Sequence, residues 1–219
     1  MNIRDVNIAW INLDEATENA KRMEELFGRL SLEKTHRISA SKIEPSEPHP
    51  NPHERCWLGL GESHMNALKY IKDKLPAIIF EDDVEITEWY KDGELPDIPE
   101  GTDAIYLGVS HGNPATKAVD INCGYAKISD MFSLHAVLYL NEKYVDAALA
   151  IQNEATHKWK RNCDVGTSSL MGGHNVITPY QPWFYQKASS EALNNWESLT
   201  YPPLKLTSFL QTIPTQRFN

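Results

Sequence analysis

Residues 6–39 read VNIAWINLDEATENAKRMEELFGRLSLEKTHRIS, and this stretch decides the fold. Its first part, Val6 to Ile11, is mostly apolar and partly β-branched, the composition of a strand buried in a parallel sheet. From Asp14 to Leu30 the apolar positions Ala20, Met23, Leu26, Phe27 and Leu30 return at three- and four-residue steps, which places them on one face of a helix. Asp14 is suited to cap that helix. A second strand over Lys34 to Ser39 completes a β-α-β unit, the opening of many nucleotide-binding folds. The expected class is therefore α/β, with a mostly parallel central sheet flanked by helices.

Beyond this unit, residues 44–53 (EPSEPHPNPH) contain four prolines, which remove amide donors and fix φ, so an exposed loop is expected there. Gly61 to Leu75 has helical periodicity, with Met65, Leu68, Ile71 and Leu75 on one stripe and Pro76 as its stop. A strand follows at once, Ala77-Ile78-Ile79-Phe80, and it ends in three acids, Glu81-Asp82-Asp83. Further strands are expected at Asp103 to Leu107 and Ala136 to Leu140, with a helix over Lys143 to Ala155.

The 219 residues suit one α/β domain with a sizeable core. No stretch reaches the roughly 18 apolar residues of a membrane span, and MNIRDVNIAW lacks the order of a signal peptide, so the expected compartment is the cytoplasm. Cys56, Cys123 and Cys163 form no CxxC pair and read as reduced thiols. A net charge of −9 weighs against sequence-independent nucleic-acid binding, and the short cationic cluster of Lys158, Lys160 and Arg161 reads as a solvated helix end.

An apolar strand needs no carboxylates at its end in order to fold, and three adjacent acids repel one another. A divalent cation would offset that repulsion. Ligands of open α/β sheets bind outside the carboxyl ends of the strands, where this triplet falls. Side chains alternate along an extended segment, so Glu81 and Asp83 should point one way and Asp82 the other. Mg2+ and Mn2+ prefer oxygen ligands and bridge one or two carboxylates to substrate phosphates, so an acid-x-acid step here suits a metal and diphosphate anchor.

Several blocks, taken in order, resemble glycosyltransferase family 25, which includes lipopolysaccharide-type galactosyltransferases and the collagen hydroxylysine galactosyltransferase domain. Ile11-Asn12-Leu13 leads into the first helix. Gly61-Glu62-Ser63-His64 precedes a helical segment and then AIIFEDDVEI. SLHAVLYL, Asp164 in NCDVG, and Pro182 shortly before Gln186 follow in the family's order. The resemblance spans Val6 to Ser190. Where the family often carries an arginine pair in the first helix, this chain has Asn19-Ala20, with Lys21 and Arg22 just beyond. Arginine is a bidentate phosphate ligand and asparagine is not, so the metal would carry more of the diphosphate charge.

The resemblance implies a nucleotide-sugar-binding, GT-A-like fold and a metal-dependent transfer of sugar from a nucleotide donor, UDP-sugar being expected. The acceptor would be a hydroxyl of a glycan or lipid-linked saccharide, and the transfer inverting. On that reading Asp83 holds Mn2+ or Mg2+, Glu81 assists or contacts the ribose, and Asp82 supports the turn or the donor. Sugar transfer to an alcohol needs a base, for which Asp164 is the candidate, its alternative being a helix N-cap. Asn12 and Leu13 suit contacts to the nucleobase edge. Ser63 is a candidate cap, with His64 either facing the donor or buried as a structural residue. His135 and His174 are possible third metal ligands, although a lone histidine is more often structural. Trp183, Phe184 and Tyr185 are either an acceptor platform or part of the core. Two other functions fit the same residues: glycosylation of a hydroxymethylated DNA base, and an inactive sugar-nucleotide-binding module.

Overall fold

A computed structural model describes residues 1–43, 56–109, 117–121 and 123–186. The first strand, β1 (Asn7–Asn12), feeds helix α1 (Thr17–Leu30), which returns the chain to β2 (Thr35–Ser39) in parallel with β1. This is the β-α-β unit expected of residues 6–39. Helix α2 (Trp57–Ile71) then leads to β3 (Ala77–Glu81), which lies parallel to β1 on its other side. The remaining elements are β4 (Val84–Ile86), β5 (Ala104–Tyr106), β6 (Lys117–Asp120), β7 (Tyr125–Ser129), β8 (Ala136–Tyr139), α3 (Glu142–Glu154), α4 (Cys163–Ser168), β9 (Val176–Pro179) and β10 (Phe184–Gln186). A π turn, Ala155–Trp159, extends α3.

Eight strands form one sheet in the order β2-β1-β3-β8-β5-β9-β7-β6, while β4 and β10 make a separate antiparallel ribbon. Strands β7 and β8 run against the other six, so the sheet is mostly parallel in direction. The period of two along each strand sorts the core into two layers. Ile8, Trp10, Ile78 and Phe80 pack with Met23, Leu26, Phe27 and Leu30 of α1. Ala9, Ile11, Ala77 and Ile79 pack on the opposite face with Ala67, Leu68 and Ile71 of α2 and with Tyr144, Val145 and Ala148 of α3. Around β1 and β3 each face is covered by helix, which is why these two strands read as apolar runs.

The first helix departs from expectation at its cap. Ala16 occupies the N-cap position without a side-chain bond, and Asp14 instead binds Arg37 Nη2 at 2.9 Å and Ser39 Oγ at 2.8 Å. A guanidinium and a hydroxyl on the adjacent strand outcompete the helix end for this carboxylate. Ser63 is not a cap either. Helix α2 begins six residues earlier, at Trp57, and places Ser63 in its interior, where Oγ donates to the Gly59 carbonyl at 2.6 Å and accepts from Ser41 N at 2.8 Å. Leu75 lies beyond the helix and remains partly buried against the core. The proline-rich segment 44–53 falls outside the described residues, apart from which the predicted strands at 103–107 and 136–140 and the helix at 143–155 coincide with β5, β8 and α3. Asn141 caps α3 through its side chain, accepting from Tyr144 N.

All three cysteines are free thiols. Lys158 pairs with Glu154 one turn back while staying exposed, as expected of a solvated helix end. Among the described residues no helix is long and apolar enough to cross a membrane.

Candidate active site

The carboxyl end of β3 lies in the middle of the sheet, between β1 and β8, so whatever follows Phe80 emerges at the rim with both faces covered. Strand alternation then distributes the acids. Glu81 follows Ala77 and Ile79 onto the α2 face, where its Oε1 lies 2.9 Å from His64 Nε2. Asp82 follows Ile78 and Phe80 onto the α1 face, where its Oδ2 accepts from Asn12 Nδ2 at 2.6 Å. Asp83 returns to the side of Glu81: the Gln186 amide nitrogen donates to Asp83 Oδ2 at 2.8 Å and to Glu81 Oε2 at 3.2 Å. The expected division of the triplet is thus present.

The three acids sit in different electrostatic surroundings. Burial pushes the Glu81 carboxyl up, but the hydrogen bond and charge of His64, with a smaller contribution from His135, outweigh it and hold Glu81 below its usual value. For Asp83 the corresponding cation is Arg22, and its attraction is the smallest of the influences on the carboxyl. Burial and then the neighbouring Glu81 charge push it up to about 8, against the Gln186 hydrogen bond. Its second oxygen, Oδ1, is buried and has no hydrogen-bond partner among the described residues. An unsatisfied buried carboxylate oxygen is costly, and one beside a second acid is costlier. The β3–β4 turn is held from the α1 side by Arg22, which donates to the Asp82 carbonyl and pairs with Glu85 at 2.8 Å.

Asn12 and Leu13 stand beside this turn at the end of β1. The Asn12 side chain is fully engaged in organising it: Nδ2 donates to Asp82 and to the Ala16 carbonyl at 3.2 Å, and Oδ1 accepts from Arg37 Nε at 2.9 Å. The Leu13 carbonyl accepts from Arg37 Nη2 at 3.2 Å. His64 is wholly buried and acts as the partner of Glu81, with its Nδ1 unbonded, rather than facing open space.

The two other histidines separate. His135 immediately precedes β8, which runs against β3, so it sits at the same rim, and its carbonyl accepts from Glu81 N at 3.0 Å. Burial, stronger than the attraction of Glu81 and the Phe184 backbone, drops its imidazole to about 4. Its Nδ1 bonds Ser133 Oγ at 2.9 Å. His174 lies at the opposite rim, with Nδ1 3.2 Å from Asp103 Oδ2 just ahead of β5, and is therefore no ligand for the acid pair. Trp183 and Phe184 belong to the core, in edge contact with Tyr90 and Phe80 respectively.

Asp164 sits in the first turn of α4, where Asn162 holds the cap position, and Asp164 Oδ1 accepts from Val165 N at 2.8 Å. Helix α3 starts at the amino rim, after β8, and the chain reaches α4 at the carboxyl rim before β9 begins again at the amino rim. Asp164 is close enough to Tyr106, the last residue of β5, to raise its hydroxyl, after the dominant effect of burial, and Glu81 acts likewise on Cys163. The structure thus brings Asn12, Leu13, His64, Glu81, Asp82 and Asp83 into one contiguous cluster. Asp164 lies on the same face and rim, across β8. Gln186 and Arg22 are the cluster members with no assigned role in the sequence reading. Gln186 has one signal there, its place after Pro182 in the resemblance, but it meets Asp83 across 103 residues of chain.

Among the described residues no group of three His, Cys, Asp or Glu side chains is arranged to hold a metal ion. Two carboxylates with phosphate and water completing the shell are nonetheless a common Mg2+ arrangement. The unpartnered Oδ1 of Asp83 fits it, whereas both Glu81 oxygens already have protein partners.

No protein-family model matches the chain, and no curated protein matches it. Among solved structures, it is similar to a glycosyltransferase involved in glycosylation of the major capsid of PBCV-1, at 10% identity and a TM-score of 0.40 over 71% of this chain and 68% of that one. It is also similar to CTP:phosphocholine cytidylyltransferase (LicC) from Streptococcus pneumoniae, at 8% identity and 0.39 over 88% and 98%. A third is UTP-bound UGPase from Acinetobacter baumannii, at 12% identity and 0.37 over 92% and 75%. None points to family 25 in particular, and at these scores the functional reading stands on the site itself.

Proposed function

We propose that this chain is a metal-dependent glycosyltransferase resembling family 25, moving a sugar from a nucleotide donor, UDP-sugar first, to a hydroxyl of a glycan or lipid-linked saccharide. One observation carries the reading: Asp83 lies half-buried beside Glu81 at the carboxyl end of the central strand, with one buried oxygen unpartnered and its carboxyl pushed up to about 8. A perturbed, incompletely partnered carboxyl at a strand end is the kind of group that marks functional sites. Asp83 would hold Mn2+ or Mg2+ directly, and Glu81, fixed by His64, would support it. A bound divalent cation would supply positive charge to the donor diphosphate as it departs.

The chain's own residues supply the rest. Arg22 and Asn12 hold the β3–β4 turn so that both acids face one side. Asp164 accepts the acceptor's hydroxyl proton as the acceptor oxygen bonds the anomeric carbon and the bond from that carbon to the diphosphate oxygen breaks. Inversion follows if attack comes from the face opposite the diphosphate.

A panel of nucleotide sugars, incubated with Mn2+ with and without acceptors, tests the reaction class by release of nucleoside diphosphate. We expect release from one donor, dependent on metal and absent in Asp83→Asn. Release from none of the donors would overturn the reading.

A further inference from the structure

Gln186 ends β10, whose antiparallel pairing with β4 sets it opposite Val84, the residue after Asp83. Its single amide nitrogen spans the two same-side acids, 2.8 Å from Asp83 Oδ2 and 3.2 Å from Glu81 Oε2. The nitrogen has two hydrogens and uses one for each carboxylate. We propose that Gln186 is a placeholder for the cation: its amide occupies the gap between Glu81 and Asp83 that a divalent ion would fill, and it is displaced when the ion binds. The inference rests on the metal-dependent reading above.

Four features support displacement over simple coexistence. The amide carries only partial positive charge, so it bridges the acids without neutralising them. It also leaves Asp83 Oδ1 unpartnered, so the arrangement is incomplete on the side of Asp83. Ligand oxygens lie about 2.1 Å from Mg2+, well inside hydrogen-bond distance, so both acids must close on an ion at a position that the amide now holds open. His64 already engages Glu81 Oε1 deep on the α2 face, so Oε2, the atom that Gln186 holds, is the oxygen on the side of Asp83. Gln186 is on this account a positioning residue that keeps the metal-free site intact and lowers its affinity for the ion.

The test is Mn2+ titration by calorimetry without nucleotide, on the full chain, for wild type, Gln186→Met, Gln186→Asn and Asp83→Asn. Methionine keeps the length and lacks the donors; asparagine keeps the donors on an arm too short to bridge both acids. We expect both Gln186 variants to bind Mn2+ about tenfold more tightly, the scale of a lost hydrogen bond to a charged group. Their metal-free melting temperatures should fall and recover when Mn2+ is added. Unchanged affinity would overturn the placeholder role. Weaker affinity would overturn it as well and make Gln186 a ligand through its amide oxygen. If Gln186→Met fails to fold, Gln186→Asn decides. Wild type that binds no Mn2+, or binds it no better than Asp83→Asn, removes the metal reading and the placeholder together. Wild-type binding lost in Asp83→Asn, with the Gln186 variants unmoved, removes the placeholder alone.

Discussion

Asp83 and Glu81 are two carboxylates at the same rim whose surroundings drive them in opposite directions, because one has a histidine against it and the other has not. For Asp83 the sign of the pH dependence follows. Its folded pKa, about 8, lies above the ordinary 3.8, so between these values the folded state holds a proton that the unfolded state has lost. Stability from this group is complete below the lower value and is lost as pH rises through the upper one. His135, lowered from 6.5 to about 4, works the other way over its own interval, so a comparison with Asp83→Asn isolates the aspartate. We expect the metal-free wild type to lose stability relative to Asp83→Asn as pH rises from about 6 to 8 in chemical denaturation, and Mn2+ to cancel that loss. A constant difference across this range would mean that Asp83 titrates normally. Asp164 is separated from structure by a different substitution. Asp164→Asn keeps the volume and loses the proton acceptor, so folding should be unaffected while transfer falls about 10²- to 10⁴-fold and nucleotide affinity holds. Transfer within about threefold of wild type would leave Asp164 a helix-end residue, with Asp130 and Glu154 the next bases to test.

At the scale of elements, α2, which carries His64, packs closely on the π turn after α3. Gly61 makes that approach possible: a Cβ there would lie 2.0 Å from Thr156 Oγ1 and 2.8 Å from its Cγ2. Nearby, Trp57 Nε1 donates to the Thr156 carbonyl at 3.0 Å, tying the start of α2 to the same turn. Gly61→Ala should therefore cost about 1–3 kcal/mol by overpacking, and Thr156→Ala in the same chain should return part of it. Additive losses in urea denaturation would show that the two residues do not meet. The rim itself has a second such contact. A Cβ on Gly108 would meet His135 Nε2 at 2.1 Å and the Phe184 carbonyl at 3.0 Å, so β5, β8 and β10 close over the buried imidazole only with glycine at that position.

For the whole molecule, the location of the site follows from direction. Strands β1, β3 and β5 all end at one rim, α2 and α4 both begin on that side, and the acids emerge between two covered faces. A nucleoside diphosphate arriving there meets the charge of Glu81, and that of Asp83 once it ionises, unless a cation comes with it. Uridine diphosphate should accordingly bind poorly in chelator and well in Mn2+, with a thermal shift beyond that of Mn2+ alone when both are present. At a hundred times the dissociation constant, such binding stabilises the fold by about 2.7 kcal/mol. Equal affinity in chelator and in Mn2+, measured by calorimetry, would take the metal out of the donor site.

The opening β-α-β unit, α3, the strand before the acids and the opposite facing of Asp82 are all legible in the sequence. Each is a local matter: apolar residues at a period near 3.6 or in a short β-branched run, and alternation over three consecutive positions. Short β4, β6, β9 and β10 carry too few residues for any period to stand out, β7 (YAKIS) is no apolar run, and all five exist because neighbouring strands supply their hydrogen bonds. Asp14 looks like a cap locally, yet Arg37 and Ser39 on β2 claim it. The same distinction governs the site. Sequence identifies acids at a strand end, but the shift of Asp83 requires burial, the restraint on Glu81 requires His64 from a helix, and the amide between them comes from Gln186, 103 residues away from Asp83. Local patterns determine which groups a chain presents at its strand ends; only the packing of distant segments determines how those groups are charged, because both solvent exclusion and the partners that offset it are supplied by residues remote in the chain.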